Sequence, residues 1–128
     1  ITHIGDSRCY IYSDKKLQLI TRDHSLVNDL IDSGSLTEDE AENFANKSTI
    51  TRAVGVGSKI RPDSRSLDMK DSDIMLMVTD GLTNEVSDVE IEAIIANNST
   101  ADKISSSLVD LAIKNGGHDN ITVTTILI

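Results

Sequence analysis

Residues 74–78, Ile74-Met75-Leu76-Met77-Val78, are an unbroken apolar run set between Asp71-Ser72-Asp73 and Thr79-Asp80-Gly81. So short and sharply bounded a run predicts a strand buried on both faces, followed directly by a turn. A second strand signal closes the chain. Ile121, Val123, Thr125 and Leu127 alternate with Thr122, Thr124, Ile126 and Ile128, with a β-branched bias. A sheet must therefore be the centre of the fold.

The opening adds strands and the middle adds helices. Ile1 to Ile4 alternates apolar and polar, Cys9 to Tyr12 resumes strand character, and Ser13-Asp14-Lys15-Lys16 turns the chain into a return strand over 17–21. These predict an antiparallel meander. Ser25 caps a predicted helix with Leu26, Val27, Leu30 and Ile31 on one face and Gly34 as its stop. Thr37 with Glu40, and Ser87 with Glu90, have capping-box spacing, in which each end of the first turn satisfies the other. Thr100 caps a further helix with an apolar stripe of Ile104, Leu108, Leu111 and Ala112, ended by Gly116-Gly117. Residues 43–59 lack periodicity and predict irregular, mobile backbone, and 60–67 reads as extended. Hairpins and helix pairs segregate, which favours α+β with antiparallel sheet over a doubly wound fold.

Composition narrows function. The chain has 128 residues and a formal net charge of -9, which argues against nucleic-acid and anionic-membrane partners, since both attract Lys and Arg stripes. Only Phe44, Tyr10 and Tyr12 are aromatic, so the core must be aliphatic. The single cysteine, Cys9, permits no disulfide within the chain and fits a reducing, cytoplasmic compartment. Ile1-Thr2-His3-Ile4 already alternates, without an initiator Met, so residue 1 is expected to be a cut within a longer protein.

Three aspartates stand at predicted strand ends beside turn residues: Asp6 after Gly5, Asp80 before Gly81, and Asp119 after Gly116-Gly117-His118. Carboxylates so placed can converge at one rim of a sheet, and hard divalent ions such as Mg and Mn take oxygen ligands. Aspartate is equally a favoured turn residue. Asp80 is the strongest candidate, because a charge closing an apolar strand needs an ion, a hydrogen bond or water to offset desolvation. The helix beginning at Ser25 explains the polarity at His24 better than a catalytic acid does; a zinc site from His3, Cys9, His24 and His118 has no supporting ligand spacing, and Gly55-Val56-Gly57 is too short for a phosphate loop and lacks its following Lys-Ser/Thr. Cys9 reads as core, and Arg8 and Arg52 as phosphate contacts or structural ion pairs.

Five blocks then occur in order: Gly5-Asp6-Ser7-Arg8, Asp23-His24-Ser25, Thr51-Arg52-Ala53-Val54-Gly55, Thr79-Asp80-Gly81-Leu82 and Gly116-Gly117-His118-Asp119-Asn120-Ile121-Thr122-Val123. Together they resemble the successive C-terminal motifs of the type 2C metal-dependent protein serine/threonine phosphatases (the PPM family), the bacterial members most of all. The resemblance covers essentially the whole chain. It implies that residues 1–128 are the C-terminal part of a single catalytic domain, an antiparallel β-sandwich flanked by helix pairs. In that family two divalent ions, Mg or Mn, bridge a water or hydroxide that attacks a phosphoserine or phosphothreonine. Carried over, Asp80 and Asp119 would ligate one ion of the pair, and Asp6 with Asp80 a third, weaker site. Residues from about 26 to 51 would match the flap beside the catalytic cleft.

The family's N-terminal half supplies an Asp in a Glu-Asp pair, an Asp-Gly-Met-Gly-Gly block and a phosphate-contacting Arg, and none of these blocks is in this chain. The resemblance thus implies an active intact enzyme and an inactive isolated fragment that pairs with itself or with its missing N-terminal half across exposed sheet. It implies phosphoprotein substrates and a serine/threonine kinase as counterpart. The alternative is a pseudophosphatase-like regulatory binding module. Phe44-Ala45-Asn46-Lys47 stands where the family often has a His-Pro pair.

Overall fold

The computed structural model describes every residue except Lys47, which lies outside the described residues together with its part in the Phe44–Lys47 departure. The chain divides into two compact units, Ile1–Asp6 with Arg22–Ser66, and Ser7–Thr21 with Leu67–Ile128.

The second unit holds a four-stranded antiparallel sheet. Its strands are β2 (Arg8–Ser13), β3 (Lys16–Leu19), β5 (Ile74–Val78) and β6 (Val123–Leu127), in the order β3-β2-β5-β6. The Asp14-Lys15 turn has both residues at positive φ, which matches the right-handed twist of a tight hairpin. Tyr10 pairs with Leu76 and Leu76 with Thr125, so these three residues lie in register across the sheet. One face carries the core: Tyr10, Leu76 and Val78 pack with Leu82 and Val86, with Ile91 and Ile95 of α4 (Asp88–Asn97), and with Ile104, Leu108 and Ala112 of α5 (Ala101–Asn115). Ser87 closes the expected capping box with Glu90, and the Thr100 hydroxyl accepts from the Lys103 amide. Tyr10 is fully buried, and its hydroxyl donates to Asp88 at 3.0 Å, tying the middle of β2 to the first turn of α4. Burial foremost pushes the Tyr10 phenol up to about 12, so the group stays protonated and remains a donor.

The other face of the sheet differs from the expectation of a strand covered on both sides. Met77 is 37% exposed and Ile126 39% exposed, while Cys9 and Ile11 of the same sheet are buried. A continuous apolar run records that both faces are apolar, and it does not record what covers the second one.

Among its described residues the first unit has two short strands, β1 (Thr2–His3) and β4 (Asp63–Ser64), and two short helices, α1 (Leu26–Asp32) and α2 (Glu38–Ala41). Ser25 caps α1, and Thr37 with Glu40 forms the expected capping box of α2. The predicted opening meander is corrected here. β1 pairs with β4, with Thr2 opposite Ser64 and His3 opposite Asp63, because Gly5 at φ 102° turns the chain in a way a side chain would resist. The described residues of 43–46 and 48–59 are irregular apart from one bridge between Ser25 and Ile50.

His24 organises this unit. It is 4% exposed and stacks on His3 with ring centroids 4.6 Å apart. Its Nδ1 lies 3.1 Å from the Gly5 amide, which can only donate, so Nδ1 is bare and Nε2 carries the proton. Nε2 then donates to Asp63 at 3.1 Å. Arg52 donates to the same carboxylate at 3.0 Å and to the Arg61 carbonyl at 3.3 Å. The hydrogen bond from His24 first, and Arg52 second among the favourable contacts, hold the Asp63 carboxyl below its ordinary value.

Two outcomes are expected. Tyr10→Phe keeps the ring and removes the bond to Asp88, so urea unfolding should show a loss of about 1 kcal/mol. The depressed Asp63 carboxyl contributes stability that is complete above the unfolded-state value of about 3.9 and lost as pH falls through the lower folded value. Asp63→Asn should therefore flatten the acid limb of a stability-against-pH curve below about pH 4, and an unchanged limb would contradict the assignment.

Candidate metal centre

The rim where β5 ends and β6 begins is built by a short-range knot. Val78 pairs with Val123, the last ladder position before the two chains part. Just beyond it the Thr79 amide donates to the Thr122 carbonyl at 3.1 Å. The Thr79 hydroxyl does both available jobs: it accepts from the Thr122 amide at 3.0 Å and donates to the Asn120 carbonyl at 3.2 Å. A one-turn helix, α3 (Asp80–Thr83), follows where only a turn was expected.

Gly81 permits the approach of α3 to the 119–120 segment. A Cβ on Gly81 would lie 2.2 Å from the Asn120 carbonyl oxygen and 3.5 Å from the Asp119 carbonyl carbon. No side chain fits, so a glycine after Asp80 is a packing requirement. Asp80 and Asp119 are thereby brought to the same rim. Each is oriented in the same way, with one carboxylate oxygen accepting from the next residue's amide: Gly81 to Asp80 at 2.9 Å, and Asn120 to Asp119 at 2.7 Å. The second oxygen of each carboxylate is not used in these bonds. Asp80 is half-buried and Asp119 exposed.

Asp6 belongs to the first unit, where it follows Gly5 and is half-buried. Among the described residues no group of three or more His, Cys, Asp or Glu is placed to hold a metal ion. At the rim the structure places a pair of oriented carboxylates.

The other singled-out residues have structural partners. His118 does not bond Asp119; its Nδ1 meets Glu85 at 2.7 Å, with the histidine side chain 80% exposed and the glutamate 12% exposed. Glu85 also receives the Asn115 amide on its carbonyl at 2.8 Å, so it pins the loop leading from α5 to Asp119. Sequence reasoning missed Glu85 because nothing local marks it; only the distance from position 85 to position 118 closing in three dimensions does. Cys9 is free and buried, and burial pushes its thiol up, which suits a core residue.

Gly81→Ala should destabilise the second unit by about 1–3 kcal/mol, the usual cost of overpacking. It should also shift the backbone amide signals of Asp119 and Asn120 in a nitrogen-resolved NMR spectrum, and wild-type stability with unmoved signals would refute the close approach.

The Protein phosphatase 2C family matches residues 1–121. Protein phosphatase PhpP of Streptococcus pneumoniae is 39% identical over 124 residues, which is 97% of this chain and 50% of that protein. The S. agalactiae serine/threonine phosphatase superposes with a TM-score of 0.92 at 37% identity, over 99% of this chain and 52% of that one. The catalytic domain of the serine/threonine protein phosphatase PstP, solved in complex with two manganese ions, gives a TM-score of 0.81 at 34% identity over 97% of this chain and 50% of its own. The chain spans about half the length of the relatives it matches. Ordered motifs, antiparallel α+β architecture and these likenesses agree: the chain belongs to the protein phosphatase 2C family.

Proposed function

We propose that this chain is the C-terminal part of one catalytic domain, whose activity is Mg- or Mn-dependent hydrolysis of phosphoserine and phosphothreonine in proteins. The observation that carries the reading is the rim of the second unit, where Thr79 and Gly81 hold Asp80 and Asp119 together with one oxygen of each engaged by a neighbouring amide. Two carboxylates pre-oriented in this way fit hard divalent ions, which favour oxygen donors and need few of them from one chain. Bound Mg or Mn would supply Lewis acidity, lowering the pKa of a water and offsetting charge on the phosphoryl oxygens. Asp80 and Asp119 would hold one ion. Manganese in the PstP complex and the phosphatase names of the relatives support the metal and the activity.

Absence of a three-ligand group among the described residues supports a site completed from outside this chain, and hence an inactive isolated fragment. The uncovered sheet face with Met77 and Ile126 supports pairing with the missing N-terminal half, or with a second copy when that half is lacking. Residues 26–51 would serve as a flap-like segment. Substrates would be phosphoproteins, with a serine/threonine kinase as counterpart, and the charge of -9 speaks against nucleic acid and anionic membranes. Among the described residues no helix is long and apolar enough to cross a membrane. A free, buried Cys9 supports a cytoplasmic location.

Hydrolysis of a phosphothreonine peptide with Mn, by this chain and by the protein restored to the length of its relatives, tests the proposal. Activity in the restored protein alone is the expected result. Asp80→Asn or Asp119→Asn in that protein should weaken Mn binding at least about tenfold, read by calorimetry independently of turnover. A restored protein that neither binds Mn nor hydrolyses the peptide would leave the pseudophosphatase-like binding module as the reading.

A further inference from the structure

The first unit contains a cavity of about 300 Å³ whose lining includes Thr51, Arg52, Val56, Lys59, Arg61 and Asp29. That size is at the lower end of ligand sites and suits one functional group with its stem. Among its described lining residues three cations stand against one carboxylate, in a chain whose formal charge is -9. Arg52 is held by Asp63 and by the Arg61 carbonyl. This fixes both the guanidinium and the backbone that carries Arg61. The Lys59 and Arg61 side chains make no ion pair among the described residues, although acidic groups are plentiful in this chain. Val54, Val56 and Ile60 are exposed in the same segment, so apolar surface borders the charge.

We propose that this cavity is an oxyanion subsite that takes an acidic side chain, a carboxylate or a second phosphate, carried by the phosphoprotein substrate. The assignment rests on the phosphatase reading for the word substrate, while the anion recognition rests on the cavity itself. Arg61 supplies a planar fork suited to carboxylate or phosphate, Lys59 a mobile point charge, and Thr51 a hydroxyl donor. Arg52 acts as a positioning residue, because its hydrogen bonds set the loop. Asp29 opposes the anion and limits affinity, which suits transient recognition. Val56 and the neighbouring exposed valine and isoleucine would cover the stem of the bound residue.

The test is fluorescence anisotropy of labelled peptides on the full-length protein without divalent metal, so that turnover plays no part. One peptide carries Glu on either side of a phosphothreonine, one carries a second phosphoserine instead, and one carries Gln. Glu and phosphoserine peptides should bind more tightly than the Gln peptide. Lys59→Ala with Arg61→Ala should weaken them about fivefold, in line with two partly exposed charge contacts, and added salt should erase the difference. Lys114→Ala, which removes a cation in the second unit, should change nothing. Equal binding of Glu and Gln peptides, or no effect of the double variant, overturns the proposal. Inorganic phosphate competing as well as either acidic peptide would also overturn it, by marking a free-anion site. Because no catalysis is read, a protein that fails to hydrolyse phosphothreonine would sink the phosphatase reading and leave this binding result standing by itself.

Discussion

The Thr79 hydroxyl is the joint on which the candidate metal centre depends. Backbone pairing alone brings β5 and β6 together as far as Val78 and Val123, with one further bond from the Thr79 amide to the Thr122 carbonyl. Beyond that point the chains would diverge, since one enters a helix and the other arrives from a loop. By accepting from Thr122 and donating to Asn120, the hydroxyl extends the pairing around the end of the sheet. Gly81 then removes the one Cβ that would force α3 away from Asn120. Asp80 and Asp119 share a rim as a consequence of these contacts, and the order of cause runs from packing to chemistry.

That rim is in turn held by a core on one side of the sheet. Leu82 and Val86 place α3 and its exit in the same apolar cluster as Tyr10, Leu76 and the stripes of α4 and α5. The Tyr10–Asp88 bond gives that cluster one polar tether, from a buried tyrosine to an exposed carboxylate. Ser105 and Thr125 add a second link between α5 and β6 at 2.8 Å. A sheet with helices on one face and exposed methionine and isoleucine on the other is stable only as far as its covered side allows. The second face is covered only in part: Cys9 and Ile11 are buried there, while Met77 and Ile126 are exposed.

Features set by neighbouring residues were legible in the sequence. Both capping boxes, the Ser25 and Thr100 caps, the 8–19 hairpin and the 74–78 strand depend on spacings of a few residues, and each forms as expected. Features that close over long separations were not. β1 reads as a strand, but its partner lies some sixty residues on at Asp63–Ser64, and no local pattern names it. The helix at Asp80–Thr83 has a single turn, too short to show a period. At the site, the glycines and aspartates were visible as turn residues, and their order in the chain marked the family. The work of Thr79 and Glu85 was hidden, because a hydroxyl and a carboxylate declare their role only through what they reach.

His24 illustrates how a residue that invites a catalytic reading can be spent on structure. Its backbone and both ring nitrogens are committed: the amide to Gly5, the carbonyl to Thr51, Nδ1 to the Gly5 amide and Nε2 to Asp63. A proton carrier must exchange its proton with a reactant, and this ring has no open nitrogen with which to do so. The same bonds fix Gly5, the β1–β4 pairing through Asp63, and Arg52 with the loop that carries Arg61. One buried imidazole therefore determines the shape of the first unit's cationic cavity without facing a ligand.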